Sequence, residues 1–164
     1  MADSKMKPEA IFLCGIPASG KTTYANRPEF DDYIKLSSDE YINHKAKLHN
    51  MTYDEAFHKY RGNIKRYVKN TITSCVETEQ SFILDQTNTF QKPRIRKLEL
   101  IPETFHKKAI VFHIPFREAL LRSDIRYRTT GKYISYTVIK DFHDNFILPT
   151  EEEGFDEIIH IEVQ

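Results

Sequence analysis

Eight residues constrain this chain more than any other stretch of its sequence. Residues 15–22 read GIPASGKT and match G-x-x-x-x-G-K-[ST], the phosphate-binding P-loop pattern. The apolar residues 10–14 predict a buried strand before the loop, and residues 22–25 predict the first turn of a helix after it. This arrangement directs backbone N–H groups and the positive end of the helix dipole at one point. We therefore expect the loop to bind the phosphates of a nucleoside triphosphate.

The P-loop pattern also predicts which side chains hold the nucleotide and its metal ion. Lys21 is expected to reach the β- and γ-phosphates, and the Thr22 hydroxyl is expected to ligate Mg²⁺. ATP and Mg²⁺ are therefore the predicted cofactors. The residues expected to surround the phosphates are Gly15, Pro17, Ala18, Ser19, Gly20, Lys21, Thr22 and Thr23.

Length and charge limit the class of protein. A chain of 164 residues is expected to form a single domain, residues 1–164, after a loose polar start over residues 1–8. Lys and Arg number 24, as do Asp and Glu, so a nucleic-acid partner would have to bind a local basic patch. No apolar segment is long enough for a signal peptide or a transmembrane span. We expect a soluble, cytoplasmic protein without a membrane partner, and the sequence leaves its oligomeric state open.

Strand and helix patterns alternate along the chain and predict its fold class. Helical segments separate the predicted strands, which lie at 10–14, 33–37, 81–85, 109–114 and 155–163. Such alternation predicts a three-layer α/β fold, because right-handed crossovers place helices on both faces of a parallel sheet.

Three local features are also predicted. Ser38 is expected to cap the helix that follows the second strand. The helix from Pro93 is expected to start at that proline and to turn Arg94 and Lys97 away from its buried face. The acidic turn at 151–154 is expected to be solvated.

Two carboxylates are predicted at the carboxyl ends of strands, where α/β sheets bind their ligands. Asp85 ends the third strand and could hold Mg²⁺, although a structural aspartate is the alternative. Asp39 follows the second strand and could accept a proton from an acceptor hydroxyl. The alternative for Asp39 is that it only stabilises the N-terminus of its helix.

Two groups of cations have competing interpretations. Arg122 and Arg126 lie four residues apart on a predicted helix, and we expect them to form a lid over the triphosphate. The alternative is a surface helix whose cations complement its dipole. The helix at 54–79 carries five further cations, for which an ordinary solvated face is favoured over a track for a phosphate backbone. These cations are Lys59, Arg61, Lys65, Arg66 and Lys69.

Four motifs in this order resemble the polynucleotide 5′-hydroxyl kinase group of P-loop kinases, which includes the phage end-healing kinase. They are the P-loop, Ser38-Asp39-Glu40-Tyr41, Asp85-Gln86-Thr87-Asn88 and the pair Arg122 and Arg126. The resemblance spans residues 10 to about 146. It implies a kinase-type P-loop NTPase fold with strand order 2-3-1-4-5, and a groove for a nucleic-acid end.

The resemblance also implies roles for single residues. Lys21 matches the P-loop lysine, Thr22 the hydroxyl on the magnesium side, Asp39 the general base, Asp85 a site carboxylate and Arg126 the lid arginine on the donor phosphates. The phage pattern has an arginine that contacts the acceptor, and here Ile42 stands in its place. No appended phosphatase domain is expected in this chain.

Together these features predict an ATP-dependent kinase that phosphorylates a nucleic-acid hydroxyl, above all a 5′-hydroxyl end of DNA or RNA. A kinase for a hydroxymethylated base within DNA, a small-molecule or nucleoside kinase and a plain NTPase remain open. Residues 82–88 also resemble the kinase-like domain of a nuclear RNA-binding scaffold protein. A nucleotide-gated nucleic-acid-binding module that is not an enzyme is therefore a further alternative.

Overall fold

Five parallel strands form one sheet in this computed structural model, which describes residues 6–164. Their order across the sheet is β2-β3-β1-β4-β5, which confirms the order implied by the resemblance. Most of the loose start expected for residues 1–8 lies outside the described residues. The strands are β1 (Glu9–Cys14), β2 (Ile34–Ser37), β3 (Phe82–Asp85), β4 (His106–His113) and β5 (Glu157–Glu162).

Within the described residues, six α-helices connect the strands or follow them and cover both faces of the sheet. They are α1 (Lys21–Ala25), α2 (Ser38–Leu48), α3 (Tyr53–Glu77), α4 (Gln91–Leu98), α5 (Phe116–Thr130) and α6 (Tyr136–Asp144). Within residues 6–164, none of these helices combines the length and the apolar character needed to cross a bilayer.

Alternate residues of each central strand supply two different core layers. Phe12 of β1 packs with α3 and α4, whereas its neighbours Ile11 and Leu13 pack on the side of α1. This follows from the two-residue period of a strand, which turns successive side chains to opposite faces. Because all five strands are parallel, their carboxyl ends share one edge of the sheet, to which the P-loop and the start of α2 are attached.

Several local predictions are wrong. Ser37, not Ser38, caps α2, since its hydroxyl accepts a bond of 3.2 Å from the backbone N–H of Glu40. Helix α4 begins at Gln91, two residues before Pro93. A proline is tolerated there because the first turn of a helix has no partner for its N–H groups.

The acidic turn and the cations of α4 are also less exposed than predicted. Arg94 is completely buried and lies 2.9 Å from the carboxylate of Glu153, which is buried as well. Lys97 is mostly buried, and its ammonium donates two bonds of 2.8 Å, to the side-chain oxygens of Gln86 and Asn88. A charge can be buried in this way when a partner of opposite charge or several hydrogen bonds compensate for lost hydration.

Candidate active site

The P-loop leaves β1 at Gly15 and enters α1 at Lys21. A Cβ at Gly15 would lie 2.6 Å from Ser19 Oγ and 3.1 Å from Phe112 Cβ, so only glycine fits the close turn of this loop. Ala18 and Gly20 have positive φ angles of 67° and 94°. These angles fold the loop back on itself ahead of the N-terminus of α1, an arrangement that binds phosphate groups.

Lys21 is buried and turned onto its own loop. Its ammonium donates to the backbone oxygens of Gly15 at 3.0 Å and Ile16 at 2.9 Å. Burial lowers the pKa of Lys21 to about 8, and the nearby charges of Asp85 and Asp39 oppose this shift. Both carboxylates that the strand ends were predicted to supply are therefore close enough to act on the charge of Lys21.

Thr22 and Asp85 form a pair of oxygen ligands suitable for a hard cation. The Thr22 hydroxyl donates to Asp85 Oδ2 at 2.8 Å, and burial raises the pKa of Asp85 although this bond opposes the shift. Mg²⁺ commonly takes one or two protein oxygens and completes its shell with water and substrate phosphates. The pair fits such a site, and residues 6–164 contain no cluster of three or more His, Cys, Asp or Glu ligands that could form a different one.

Asp39 lies in the first turn of α2 and has a separate set of partners. The Tyr53 hydroxyl donates to Asp39 Oδ1 at 2.7 Å, and the ammonium of Lys132 contacts Oδ2. Burial, the largest influence, acts to raise the pKa of Asp39, but Lys132 and the Tyr53 bond outweigh it and lower the pKa. Asp39 is therefore ionised at neutral pH, with Lys132 approaching it from the segment after α5.

The two predicted lid arginines lie at different parts of the site. The positive charge of Arg126 acts on the pKa values of Lys21, Asp39 and Asp85, so it lies near all three. Arg122 has Nη1 3.8 Å from the position that a Cβ of Gly20 would occupy, which places it over the P-loop.

Arg122 also forms hydrogen bonds outside the P-loop, and Pro17 and Thr23 differ in their exposure. The guanidinium of Arg122 also bonds to Glu118 at 3.0 Å and to the backbone oxygen of Gln164 at 3.0 Å. Pro17 is partly buried in the loop, whereas Thr23 is exposed on α1.

A buried network joins the P-loop to the end of β3. The N–H of Gly15 donates to the backbone oxygen of Thr87 at 2.9 Å, and the Asn88 amide donates to that of Leu13 at 2.8 Å. Gln86 continues the network by donating to the Ser38 hydroxyl at 2.7 Å. Thus the polar segment after β3 fixes the relative position of the P-loop and the start of α2.

Sequence reasoning missed Tyr53 and Lys132 as partners of Asp39. Tyr53 lies 14 residues from Asp39 and Lys132 lies 93 residues away, so no local pattern connects them. The one available signal for Lys132 was its place directly after Gly131, which ends α5 with a φ angle of 75° and directs the chain back over the site.

The chain is similar in sequence to curated proteins. Over 165 residues the chain is 26% identical to human heterogeneous nuclear ribonucleoprotein U-like protein 2, a match over 95% of this chain and 22% of that protein. The chain thus spans about a fifth of the length of this curated relative.

Solved structures share the fold. A candidate kinase from Chloroflexus aurantiacus superposes with a TM-score of 0.74 at 15% identity, over 97% of this chain and 87% of that one. A chain of the Pnkp1/Rnl/Hen1 RNA repair complex has a TM-score of 0.67 at 23% identity, over 88% of this chain and 45% of that one. Structures of this fold further include a fungal RNA kinase and a gluconokinase from Sinorhizobium meliloti, with TM-scores of 0.54 and 0.55.

The fold is therefore that of P-loop kinases, and a nucleotide is the substrate this family implies. The sequence profile described as "AAA domain" matches residues 11–149, which include the P-loop, both strand-end carboxylates and both lid arginines. Because this match covers most of the chain, the chain belongs to the AAA domain family.

Proposed function

We propose that this protein is an ATP- and Mg²⁺-dependent kinase that phosphorylates a hydroxyl of a nucleic acid, above all a 5′-hydroxyl end of DNA or RNA. The observation that carries the proposal is the position of Asp39. An ionised carboxylate lies on the same sheet edge as the P-loop, close enough to affect the pKa of Lys21. A loop suited to bind the phosphate donor and a carboxylate suited to accept a proton therefore lie at one site.

The donor side is assigned to the P-loop and the lid. Backbone N–H groups of residues 18–23 and the ammonium of Lys21 bind the phosphates of ATP, while Arg122 and Arg126 neutralise their charge. Thr22 and Asp85 hold Mg²⁺, which supplies charge neutralisation at the transferring phosphoryl group.

The acceptor side is assigned to Asp39. It orients the acceptor hydroxyl and takes its proton as the new O–P bond forms and the bond from the γ-phosphorus to the bridging oxygen breaks. ADP leaves with that bridging oxygen. The low pKa suits this role because the proton moves late in a loose transition state, so position matters more than base strength. Tyr53 and Lys132 hold the carboxylate in place.

One feature of the phage-type pattern does not carry over to acceptor binding. Ile42, which replaces the acceptor-contacting arginine, is completely buried among residues of α2 and α3. It has no surface with which to contact an acceptor. The acceptor must therefore be recognised by other residues near Asp39.

A nucleotide-gated nucleic-acid-binding module is the second candidate. The specific observation in its favour is the match to a ribonucleoprotein over almost the whole length of this chain. Kinases with sugar acceptors share the fold as well, so small acceptors belong in any test of the proposal.

Transfer of labelled γ-phosphate from ATP to a panel of acceptors tests the proposal. The panel contains a 5′-hydroxyl oligonucleotide, the same strand already 5′-phosphorylated, a duplex with hydroxymethylated bases, free nucleosides and gluconate. We expect label on the 5′-hydroxyl strand alone. Label only on a small molecule or on the modified duplex would reject the 5′-end assignment, and ATP-dependent oligonucleotide binding without transfer would support the binding module.

A pair of variants tests the role of Asp39. We expect Asp39→Asn to lower the transfer rate by about 10²- to 10⁴-fold, the usual contribution of a general base, with ATP binding retained. The matched control is Asp31→Asn, which removes an exposed carboxylate at the opposite end of β2 and should leave transfer unchanged. Near-parental transfer by Asp39→Asn would reject the role of this residue.

A further inference from the structure

A row of side chains on α3 leads away from the candidate base. Tyr53, Phe57, Arg61 and Lys65 recur every four residues, a step of about 6 Å along a helix and about 40° around it. Tyr53 contacts Asp39. The ring of Phe57 is 36% exposed and lies nearly parallel to that of Tyr53, at 12° and 6.3 Å between centroids. Arg61 and Lys65 follow as exposed cations.

The charge on this helix differs from that of an ordinary solvated face. Residues 56–76 contain no Asp or Glu but carry five cations. Within residues 6–164, none of these five forms an ion pair, whereas solvated helices usually mix both signs at spacings of four residues. Arg61 and Lys65 repel each other at that spacing, and so do Lys65 and Lys69, which destabilises the helix. A polyanion along this face would remove the repulsion.

We propose that this row binds the acceptor as a single-stranded nucleic acid, an inference that rests on the proposed function. The 5′-hydroxyl lies at Asp39, a base near the end stacks on Phe57, and the following phosphates lie along Arg61 and Lys65. Proteins that bind single strands combine aromatic rings for the bases with cations along the backbone. The row supplies both, and it gives the acceptor a binding surface that the buried Ile42 cannot supply.

A double charge reversal on α3 tests whether this row binds the acceptor, and a matched double variant on α4 is the control. Arg61→Glu with Lys65→Glu is compared with Lys92→Glu and Arg96→Glu on α4, two exposed cations at the same spacing. The two double variants change the net charge equally. Circular dichroism first establishes that each variant is folded.

Kinetics and direct binding are then measured with a 5′-hydroxyl 20-mer. For the α3 pair we expect the KM of the 20-mer to rise at least about tenfold, since two lost contacts weaken single-strand binding. The parental protein should have a lower KM for the 20-mer than for a nucleoside 3′-phosphate, which is too short to reach Arg61. In the α3 double variant this difference in KM should disappear. Anisotropy of a labelled 20-mer gives the slope of log affinity against log salt concentration. The magnitude of this slope should fall by about 1.4, because each of the two lost phosphate contacts accounts for about 0.7.

Substitution of Phe57 separates stacking from charge. We expect Phe57→Ala to weaken 20-mer binding about fivefold, the lower end of the range for one stacked base, and Phe57→Trp to restore it. An equal loss in Phe57→Ala and Phe57→Trp would show a structural role and overturn the stacking assignment.

Failure of the binding row and failure of the proposed function give different results. Transfer to the 20-mer with equal effects of the α3 and α4 reversals would overturn the role of the row and would not contradict the proposed kinase activity. No transfer to any nucleic acid would overturn the proposed function, and the anisotropy measurement would then still decide whether α3 binds a single strand.

Discussion

The charge of Lys21 predicts how nucleotide binding depends on pH. Burial against the oxygens of its own loop lowers its pKa from 10.5 to about 8. An ammonium with that pKa is about nine-tenths protonated at pH 7 and about one-tenth protonated at pH 9. Bound phosphates favour the protonated form, so the dissociation constant of ATP should scale inversely with that fraction. We therefore expect the Kd to rise about tenfold between pH 7 and pH 9.

Titration of a fluorescent ATP analogue without acceptor measures this dependence, at constant ionic strength from pH 6.5 to 9.5. Lys21→Arg is the control, because its guanidinium stays charged over the whole range and its Kd should not change with pH. Calorimetry in two buffers of different ionisation enthalpy gives the proton uptake. At pH 8 binding should take up about half a proton, since half of the free protein carries a neutral lysine.

Two results would refute this reasoning. An equal Kd at pH 7 and pH 9, without proton uptake at pH 8, would show that Lys21 stays charged in the free protein despite its burial. A parallel loss of affinity in Lys21→Arg would assign the pH dependence to another group.

Three further perturbations have definite expected outcomes. Glu153→Gln leaves Arg94 as a buried, unpaired charge and should cost about 3–5 kcal/mol in urea unfolding, and a loss below about 1 kcal/mol would contradict the burial of the pair. Gly15→Ala places a methyl group 2.6 Å from a side-chain oxygen of the loop. This overpacking should lower the free energy of unfolding by about 1–3 kcal/mol, and the distorted loop should bind ATP more weakly in titrations. Lys132→Met removes a cation that lowers the pKa of Asp39, so the acid limb of the transfer rate should move to higher pH; an unmoved limb would exclude their coupling.

The positions of the strand-end carboxylates were predictable because the rule behind them is general. A parallel sheet brings the carboxyl ends of all its strands to one edge, so Asp85 and Asp39 had to meet the P-loop once β1, β2 and β3 were recognised. The alternation of elements along the chain was strong enough to identify these strands. The sheet order came from the resemblance and is confirmed.

The partners of these groups were not predictable, because they depend on contacts between distant segments. Arg94 follows the pattern of an exposed helix residue but is buried, with Glu153, 59 residues later, folded against it. Lys132 reaches Asp39 across 93 residues. An amphipathic pattern describes one helix at a time and carries no information about pairs formed between distant segments.

The surroundings of Asp39 bear on the choice between a kinase and a nucleotide-gated binding module. A site that only binds triphosphate gains from cations and loses from each nearby anion, because like charges repel. Asp39 is nevertheless held ionised by Tyr53 and Lys132, close enough to Lys21 to act on the pKa of that lysine. Repulsion between this carboxylate and bound phosphates is a cost that the proposed transfer compensates, because Asp39 then accepts a proton from the acceptor. The presence of this carboxylate with two partners that hold it ionised therefore favours phosphoryl transfer over binding alone.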